Sequence, residues 1–487
     1  MAPSFSDIVE EARLSARALL DYGEGFFNPT VRLGVTGLSR AGKTVFITAL
    51  IHGLTLGGRF PVFEPYASGR IARARLEPQP DDAVPRFDYE NHVRTLIEER
   101  RWPSSTVDIS ELRLVIDYQR QNGADRTLTI DIVDYPGEWL LDLPLLTKSY
   151  EQWSAESLAL SREGPRLKLA APWHAHLATL SAEGKENEQA ALTAAKLFTD
   201  YLRACRDDRF AMSLLPPGRF LMPGNMAGTP ALTFAPLDVA ADGAAPDGSL
   251  WAMMKRRYEA YKDVVVRPFF RDHFARLDRQ VVLVDALSAF NAGPEALHDL
   301  EAALAGILDC FRIGRSTLLS NLFRPRIDRI LFAATKADHL HHQSHDRLEA
   351  VLRRAVANAA GRAEVAGAAI DVVALAAVRA TREAVVTRGR DKLPSILGTP
   401  APGEIANGET FDGETEVATF PGDLPDNPED LFNGGFRGLS STPFDKADFR
   451  FLRFRPPLLQ RDGTEEPSLP HIRLDRALQF LIGDRLQ

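Results

Sequence analysis

Residues 30–44 read TVRLGVTGLSRAGKT. The first part, Thr30–Thr36, is rich in β-branched and apolar residues and predicts a strand, while the apolar residues after Lys43 recur at helical spacing. Between them, Gly37–Thr44 matches G-x-x-x-x-G-K-[ST] without a gap. A strand, a glycine loop and a helix in this order are typical of a phosphate-binding loop, so this stretch predicts an α/β nucleotide-binding fold.

The loop contains the residue types that bind nucleotide phosphates. Glycines let successive backbone N–H groups point at phosphate oxygens, and the N-terminus of the following helix adds positive potential. We expect the Lys43 ammonium to neutralise the β- and γ-phosphates and the Thr44 hydroxyl to coordinate Mg²⁺. Arg40 has two interpretations, a solvated loop residue or a contact to the nucleotide. The residues predicted to surround the phosphates are Gly37, Leu38, Ser39, Arg40, Ala41, Gly42, Lys43, Thr44 and Val45.

A second motif, Asp134-Tyr135-Pro136-Gly137, directly follows an apolar β-like run. A carboxylate at a strand end beside the loop can hold Mg²⁺ directly or through water, and the Gly137 N–H can bind the γ-phosphate. Glu138 stands where Ras-like GTPases have a glutamine that orients the attacking water. A carboxylate is repelled by a triphosphate unless a cation compensates it, so we expect slow intrinsic hydrolysis.

A hydroxyl that completes the magnesium coordination is expected between the loop and Asp134. Thr106 is the candidate, with Ser104 and Ser105 as alternatives and a plain turn as a further interpretation. Thr44, Thr106 and Asp134 are therefore the predicted magnesium ligands. The residues predicted to take part in hydrolysis are Lys43, Thr106, Gly137 and Glu138.

A third motif, Thr335-Lys336-Ala337-Asp338, follows the predicted strand Arg329–Ala334 and matches [NT]-K-x-D. The Asp338 carboxylate can accept hydrogen bonds from N1–H and the amino group of guanine, whereas adenine offers an acceptor at N1. The stem of Lys336 can lie over the base plane. Thr335 replaces the more usual Asn and weakens the support of this loop. Ala377 and Val378 are candidates for a backbone contact to the guanine carbonyl, although ordinary packing explains them equally well.

Strands that alternate with helices predict an α/β fold of the P-loop GTPase type, with a mostly parallel sheet. A helical stretch interrupts this alternation, with candidate helices over residues 143–161, 186–207 and 250–279. The expected division is a first part of the nucleotide-binding domain over 1–142, including an N-terminal helix over residues 1–22, and a helical insertion domain over 143–279. The second part of the nucleotide-binding domain follows over 280–378, and a C-terminal β-rich region with a terminal helix occupies 379–487.

Composition excludes several classes of protein. The 487 residues include 58 basic and 66 acidic side chains, a net charge of −8, which disfavours a large surface for nucleic acid or anionic lipid. No specific nucleic acid is therefore expected as a partner. Two cysteines, Cys205 and Cys310, are too few for a disulfide framework and are expected to be reduced. We find neither a secretory signal nor a transmembrane segment, and expect a cytoplasmic protein with peripheral membrane contact left open.

Four histidines follow Asp338 closely, at positions 339, 341, 342 and 345. A metal site would need further acidic or cysteine ligands, and the neighbouring sequence has none at ligand spacing. The pattern therefore favours solvent-facing side chains around the start of a helix.

The order of these motifs, with four longer strings, resembles the YcjX-like family of bacterial P-loop proteins. The strings are DIVDYPGEWLLDLPLL (131–146), FRPRIDRILFAATKADHLH (323–341), AAVRATREA (376–384) and HIRLDRALQFLIGDRL (471–486). The resemblance covers nearly the whole chain. It implies a GTPase-type α/β domain with a helical insertion, GTP hydrolysis, and a cytoplasmic stress-associated role linked to envelope stress.

The sequence therefore predicts a Mg²⁺-dependent protein that binds GTP and GDP, hydrolyses GTP slowly and acts as a switch on an unidentified protein effector. The alternative is an ATPase or a nucleotide-dependent scaffold in which hydrolysis is incidental.

Overall fold

The computed structural model describes residues 29–38, 40–240, 242–310, 327–365, 367–388, 391–406, 408–440, 446–459 and 467–487. Ser39 and the predicted N-terminal helix over residues 1–22 lie outside the described residues. The described chain forms a seven-stranded sheet in the order β2-β3-β4-β1-β5-β6-β7. The strands are β1 Thr30–Gly37, β2 Ile71–Glu77, β3 Ser110–Gln119, β4 Asp125–Asp134, β5 Arg279–Val284, β6 Arg329–Ala334 and β7 Ala369–Ala374.

The sheet is mostly parallel, as predicted. Strands β4, β1, β5, β6 and β7 pair in parallel, whereas β3 is antiparallel to both β2 and β4. A turn with Gly123 at φ 83° joins β3 to β4, a conformation that glycine adopts without steric cost. The sequence patterns described above do not predict β2. Its arginine-rich sequence suits the edge of a sheet, where one side stays in water.

Helices cover both faces of the sheet. Successive strand residues point to opposite faces, so the apolar residues of one strand enter two different cores. In β5, Val281 and Leu283 join one core with the Lys43–Leu56 helix and the terminal Leu474–Ile482 helix, and Val282 and Val284 join the other. The second core includes the helices between β4 and β5. The remaining helices of the sheet layers are Glu64–Ala67, Tyr89–Ile97, Ala286–Ala292, Pro294–Cys310 and His345–Val365.

The chain between β4 and β5 is mainly helical, as predicted, but its helices begin and end at residues other than those predicted. A 3₁₀ segment, Gly137–Thr147, occupies the start of the first predicted helix, and a capping box at Ser149 begins the α-helix after it. A π-helical segment, Lys262–Val266, divides the last predicted helix, which ends before β5. The α-helices are Tyr150–Ser161, Arg166–Leu169, Ala171–Leu177, Glu188–Arg206, Gly218–Leu221, Leu250–Tyr261 and Arg267–Asp272.

Antiparallel pairs follow the main sheet. Strands β12, β9 and β8 form one small sheet, and β10 pairs with β11. The terminal helix returns to the main sheet and packs near β6. Among the described residues, no helix combines the length and apolar character that crossing a bilayer requires. The elements are β8 Arg382–Arg388, β9 Asp391–Gly398, β10 Ile405–Ala406, β11 Glu409–Thr410, β12 Val417–Thr419 and the helix Glu429–Phe432.

Candidate nucleotide site

The loop between β1 and its helix lies at the carboxyl ends of the parallel strands, where α/β sheets bind ligands. Gly42 at φ 82° turns the chain into the helix. A Cβ on Gly37 would lie 2.7 Å from the carbonyl oxygen of Leu283, so β5 leaves no room for a side chain there. Lys43 is buried, and its Nζ donates to the Gly37 carbonyl at 3.2 Å. The loop therefore folds around its own lysine.

Three of the predicted ligands come together beside this lysine. The Thr106 hydroxyl donates to Oδ2 of Asp134 at 2.7 Å, and Oγ1 of Thr106 lies 3.4 Å from Oγ1 of Thr44. The carbonyl of Ser104, from the same connection, is 3.4 Å from the Thr44 hydroxyl. The structure thus places the Thr106 hydroxyl between Thr44 and Asp134, whereas Ser104 approaches through its backbone.

Asp134 is a deeply buried carboxylate at the end of β4. Burial raises its pKa to about 6, although Lys43 and the Thr106 hydroxyl act in the opposite direction. Its Oδ1 atom is buried and has no hydrogen-bond partner among the residues that the structure describes. An unpartnered buried carboxylate oxygen is costly in free energy. Together with the two threonine hydroxyls, it provides the oxygen donors that Mg²⁺ prefers.

Gly137 lies directly against the loop, and Glu138 follows it. A Cβ on Gly137 would come within 1.8 Å of the Gly37 carbonyl oxygen, so this position accepts only glycine. Glu138 is buried, and its Oε1 lies 3.7 Å from Nη1 of Arg206. A Cβ on Gly218 would lie 1.8 Å from the Glu138 carbonyl oxygen. The helical stretch between β4 and β5 therefore supplies both an arginine and a close backbone contact at Glu138.

Arg40 lies beside charged groups from two other parts of the chain. Its guanidinium forms an ion pair with Asp208, and Nη1 of Arg453 lies 3.2 Å from the same carboxylate. Partial burial, with the nearby charges of Arg206 and Arg453, lowers the pKa of Arg40. Three separate parts of the chain therefore meet at this residue.

The third motif forms the loop after β6. Lys336 adopts a left-handed conformation at φ 61°, and its ammonium pairs with Asp285. Burial alone would raise the pKa of Asp285, but Lys336 and the Ser288 hydroxyl hold it below its ordinary value. Thr335 is buried, and its Oγ1 lies 3.3 Å from the carbonyl of Val284. These contacts connect the ends of β5 and β6.

Asp338 is buried and is oriented by the segment that follows β7. Its Oδ2 accepts a hydrogen bond from the Ala380 N–H at 2.8 Å, and the Thr381 hydroxyl donates to its carbonyl. Ala377 and Val378 are buried in this same segment. Antiparallel hydrogen bonds between Ala376 and Ile472 hold the segment against the C-terminal chain. The predicted base-binding residues are therefore gathered at one end of the sheet.

Comparison with known protein sequences identifies the family of this chain. The sequence profile of the YcjX-like family, DUF463, matches residues 31–486. The chain belongs to this family. A protein of Escherichia coli K12 named "Ras-like GTPase YcjX" is 36% identical over 484 residues, which cover 94% of this chain and 96% of that relative. A Shewanella oneidensis protein of the same name is 34% identical over 487 residues, with 94% and 95% covered.

In this member of the family, sequence reasoning missed Asp285 and Arg206. Asp285 directly follows a buried strand, the same signal that identified Asp134, and could have been found by that criterion. Arg206 ends the Glu188–Arg206 helix, and nothing in its local sequence distinguishes it from Arg203, the other arginine of that helix. Only the packing of the helix against Glu138 identifies it.

The prediction of solvent-facing histidines after Asp338 was wrong for three of the four, because His339, His341 and His345 are buried. The C-terminal region covers part of this loop, and the His339 ring packs edge-on against Phe454 with centroids 5.1 Å apart. His345 is within hydrogen-bond distance of the Leu340 carbonyl. Only His342 of these four has a mostly exposed side chain, and it contacts Glu383 of β8.

Proposed function

We propose that this chain is a Mg²⁺-dependent GTP-binding protein that hydrolyses GTP slowly and acts as a switch. The observation that carries the proposal is the alignment of Thr44, Thr106 and Asp134 beside Lys43, with one carboxylate oxygen of Asp134 left unpartnered among the described residues. The names of its relatives support the same class of protein.

The residues around Asp134 suit magnesium by donor type. Thr44, Thr106 and Asp134 offer hydroxyl and carboxylate oxygens and no sulfur or imidazole, a donor set typical of Mg²⁺ rather than of zinc. When bound, Mg²⁺ would neutralise negative charge on the β- and γ-phosphates. Lys43 would give up its contact with the Gly37 carbonyl and bind the phosphates instead.

Guanine is the base that the third motif suits best. Asp338 keeps a carboxylate at the end of β6 with one oxygen held by the Ala380 N–H. That hydrogen bond fixes the orientation of the carboxylate, which can accept from N1–H and the amino group of guanine. Adenine has no donor at N1 and would leave this charge without a partner.

Hydrolysis would be slow because Glu138 carries a negative charge towards the triphosphate. Arg206 reduces this repulsion, since its guanidinium faces the Glu138 carboxylate. Removal of one stabilising donor from an enzyme site typically slows catalysis by about 10²- to 10³-fold. Arg206 would therefore act on hydrolysis through Glu138, by offsetting the charge of that carboxylate.

A conformational change in the Gly137–Thr147 segment would be transmitted to the helices beside it. Asp142, in this segment, accepts hydrogen bonds from the Gly218 N–H and from the Tyr261 hydroxyl, each at 2.6 Å. The Arg219 guanidinium lies 3.2 Å from the centroid of the Trp139 ring. A shift of Gly137 towards a γ-phosphate would therefore move the helical region, where an effector could distinguish the two nucleotide states.

The resemblance to the family adds a stress-associated role in the cytoplasm, linked to envelope stress, and a protein effector. The alternative function, an ATPase or a nucleotide-dependent scaffold, uses the same phosphate site. It differs at the base, so the base provides the test.

Nucleotide competition against a fluorescent GDP analogue tests the proposal. We expect unlabelled GDP to compete and ADP to fail, and Asp338→Asn to weaken GDP binding while it improves binding of the xanthine analogue, whose carbonyl replaces the guanine amino group. The control, Asp238→Asn, changes an exposed carboxylate whose partner is Arg162 and should keep GDP affinity. Preferential binding of ADP would favour the ATPase alternative and contradict the proposal.

A further inference from the structure

A cluster of metal-ligating side chains lies apart from the magnesium ligands, where the loop after Asp338 meets the start of β8. One ring nitrogen each from His341 and His342 and one carboxylate oxygen from Glu383 lie within 4.8 Å of one another. Nδ1 of His342 is 2.9 Å from Oε2 of Glu383, and the two imidazole centroids are 4.2 Å apart. No sequence spacing connects these residues, because Glu383 comes from a separate strand.

A second observation indicates that the cluster lacks a ligand. His341 is 9% exposed, and its Nδ1 atom is buried with no hydrogen-bond partner among the described residues. Buried ring nitrogens normally have a partner, since a buried polar atom without a hydrogen bond costs free energy. Coordination of a metal ion by this imidazole would offset that cost.

The backbone around the cluster is held in place without the metal. The Ser344 N–H donates to the His341 carbonyl at 2.9 Å, and His342 begins a short 3₁₀ turn. On the other side, Thr381, two residues before Glu383, is buried and hydrogen-bonded to the Asp338 carbonyl. Preorganised ligands lower the entropy lost when a metal binds.

The two carboxylate oxygens of Glu383 face different neighbours. Arg379 approaches its Oε1 at 3.8 Å, whereas Oε2 faces His342. A cation between Oε2 and the imidazoles would therefore leave the Arg379 pair intact.

We propose that His341, His342 and Glu383 bind a divalent transition-metal ion, with water at the remaining coordination position. Two imidazoles and one carboxylate form a ligand set that binds Zn²⁺, whereas Mg²⁺ prefers oxygen donors alone. The ion would clamp β8 onto the loop that carries Asp338. It would thus join the C-terminal β region to the end of the main sheet.

Metal titration of the full chain tests this proposal. Protein stripped with a chelator is first saturated with Mg²⁺ and GDP, then titrated with Co²⁺, whose visible absorption reports nitrogen ligation in low-coordinate sites, and with Zn²⁺ by calorimetry. We expect one tight site, and His342→Ala or Glu383→Gln to weaken it at least about tenfold. Both positions are partly exposed, so these variants should fold, which a thermal melt verifies.

The matched control is His298→Ala, which removes an exposed histidine on the Pro294–Cys310 helix whose ring packs near Phe432. It should keep the affinity for Co²⁺. Equal affinity in all the variants, or no saturable binding, would overturn the proposal. A repeat in Asp134→Asn without nucleotide separates this site from the predicted magnesium site, so the outcome does not depend on whether the protein binds guanine.

Discussion

Nη1 of Arg206 lies 3.7 Å from Oε1 of Glu138. This ion pair joins the last residue of a long helix to the residue after Gly137. Glu138 is almost fully buried, and Arg206 is only partly exposed. At this separation and burial the attraction is stronger than between solvent-exposed charges, because less water screens it. The pair explains how a carboxylate is tolerated beside a site expected to bind a triphosphate.

Arg206→Ala should slow single-turnover GTP hydrolysis by on the order of 10²- to 10³-fold, because the charge of Glu138 then acts on the phosphates uncompensated. GDP affinity should change far less. Arg203→Ala is the matched control, since Arg203 lies one turn earlier on the same helix and pairs with Asp200 at the surface. A wild-type rate in Arg206→Ala would remove this arginine from the mechanism.

The role of Glu138 itself is tested by Glu138→Gln and Glu138→Ala. We expect Glu138→Gln to hydrolyse GTP faster than the natural protein, because the amide keeps the shape and loses the charge. In the Glu138→Gln background, the Arg206→Ala substitution should matter less than it does alone. Unchanged single-turnover rates in both Glu138 variants would contradict a role for this residue.

Magnesium dependence should vary with pH through Asp134. Its folded-state pKa is raised to about 6 by burial, and a metal binds only the ionised carboxylate. The gain in GDP affinity on adding Mg²⁺ should therefore be complete at about pH 8 and decline as the pH falls through 6. Calorimetric titrations across this range measure it, and a gain that persists undiminished at about pH 5 would contradict the assignment.

In the metal-free protein, the same raised pKa predicts that the folding stability decreases as the pH rises. A raised pKa means that the contribution of Asp134 to stability is complete below its unfolded value of 3.8 and is lost as the pH rises through about 6. Asp134→Asn should thus raise the melting temperature at neutral pH and abolish the response to Mg²⁺. Asp131→Asn, on the same strand, removes the partner of Arg113 and should lower the melting temperature while keeping that response.

Gly137→Ala should disrupt the close packing of Gly137 against Gly37 of the glycine loop. The new Cβ would lie 1.8 Å from the Gly37 carbonyl oxygen, so one of the two segments must move. We expect a lower melting temperature and weaker GDP binding. Gly361→Ala is the control, because nothing lies within 4 Å of its Cβ and alanine is favoured over glycine in a helix by about 1 kcal/mol. Equal effects of the two substitutions would contradict the close contact.

Tyr261→Phe should weaken the connection between the Gly137–Thr147 segment and the helices beside it. It removes a hydroxyl that donates to buried Asp142, whose pKa burial already raises to about 6. We expect the free energy of unfolding to fall by about 1–3 kcal/mol, measured by urea denaturation. Tyr66→Phe, at a less buried tyrosine that packs edge-on against Phe60, should have little effect, and an equal loss there would argue against a special role of Tyr261.

Much of the fold could be predicted from sequence because the signals are local. Apolar periodicity identified β1, β4, β6 and the helix after Lys43, and the strand-loop-helix order located the glycine loop. Periodicity did not identify β2, whose alternating arginines resemble a polar connection. It also began the first helix after β4 too early, because a 3₁₀ segment forms around Pro144. Element ends depend on capping and packing, which periodicity does not report.

The residue types proposed for phosphate, magnesium and base recognition follow from the sequence alone, because each motif is a short run whose backbone and side chains are expected to act together. Thr106 was only one of several candidates until the structure brought it to Asp134. The contacts of Arg206 with Glu138, of Lys336 with Asp285, and of His342 with Glu383 were decided by tertiary structure. In each case the partner comes from a separate element, and the packing of helices and strands, rather than any local spacing, sets the distance between the charges.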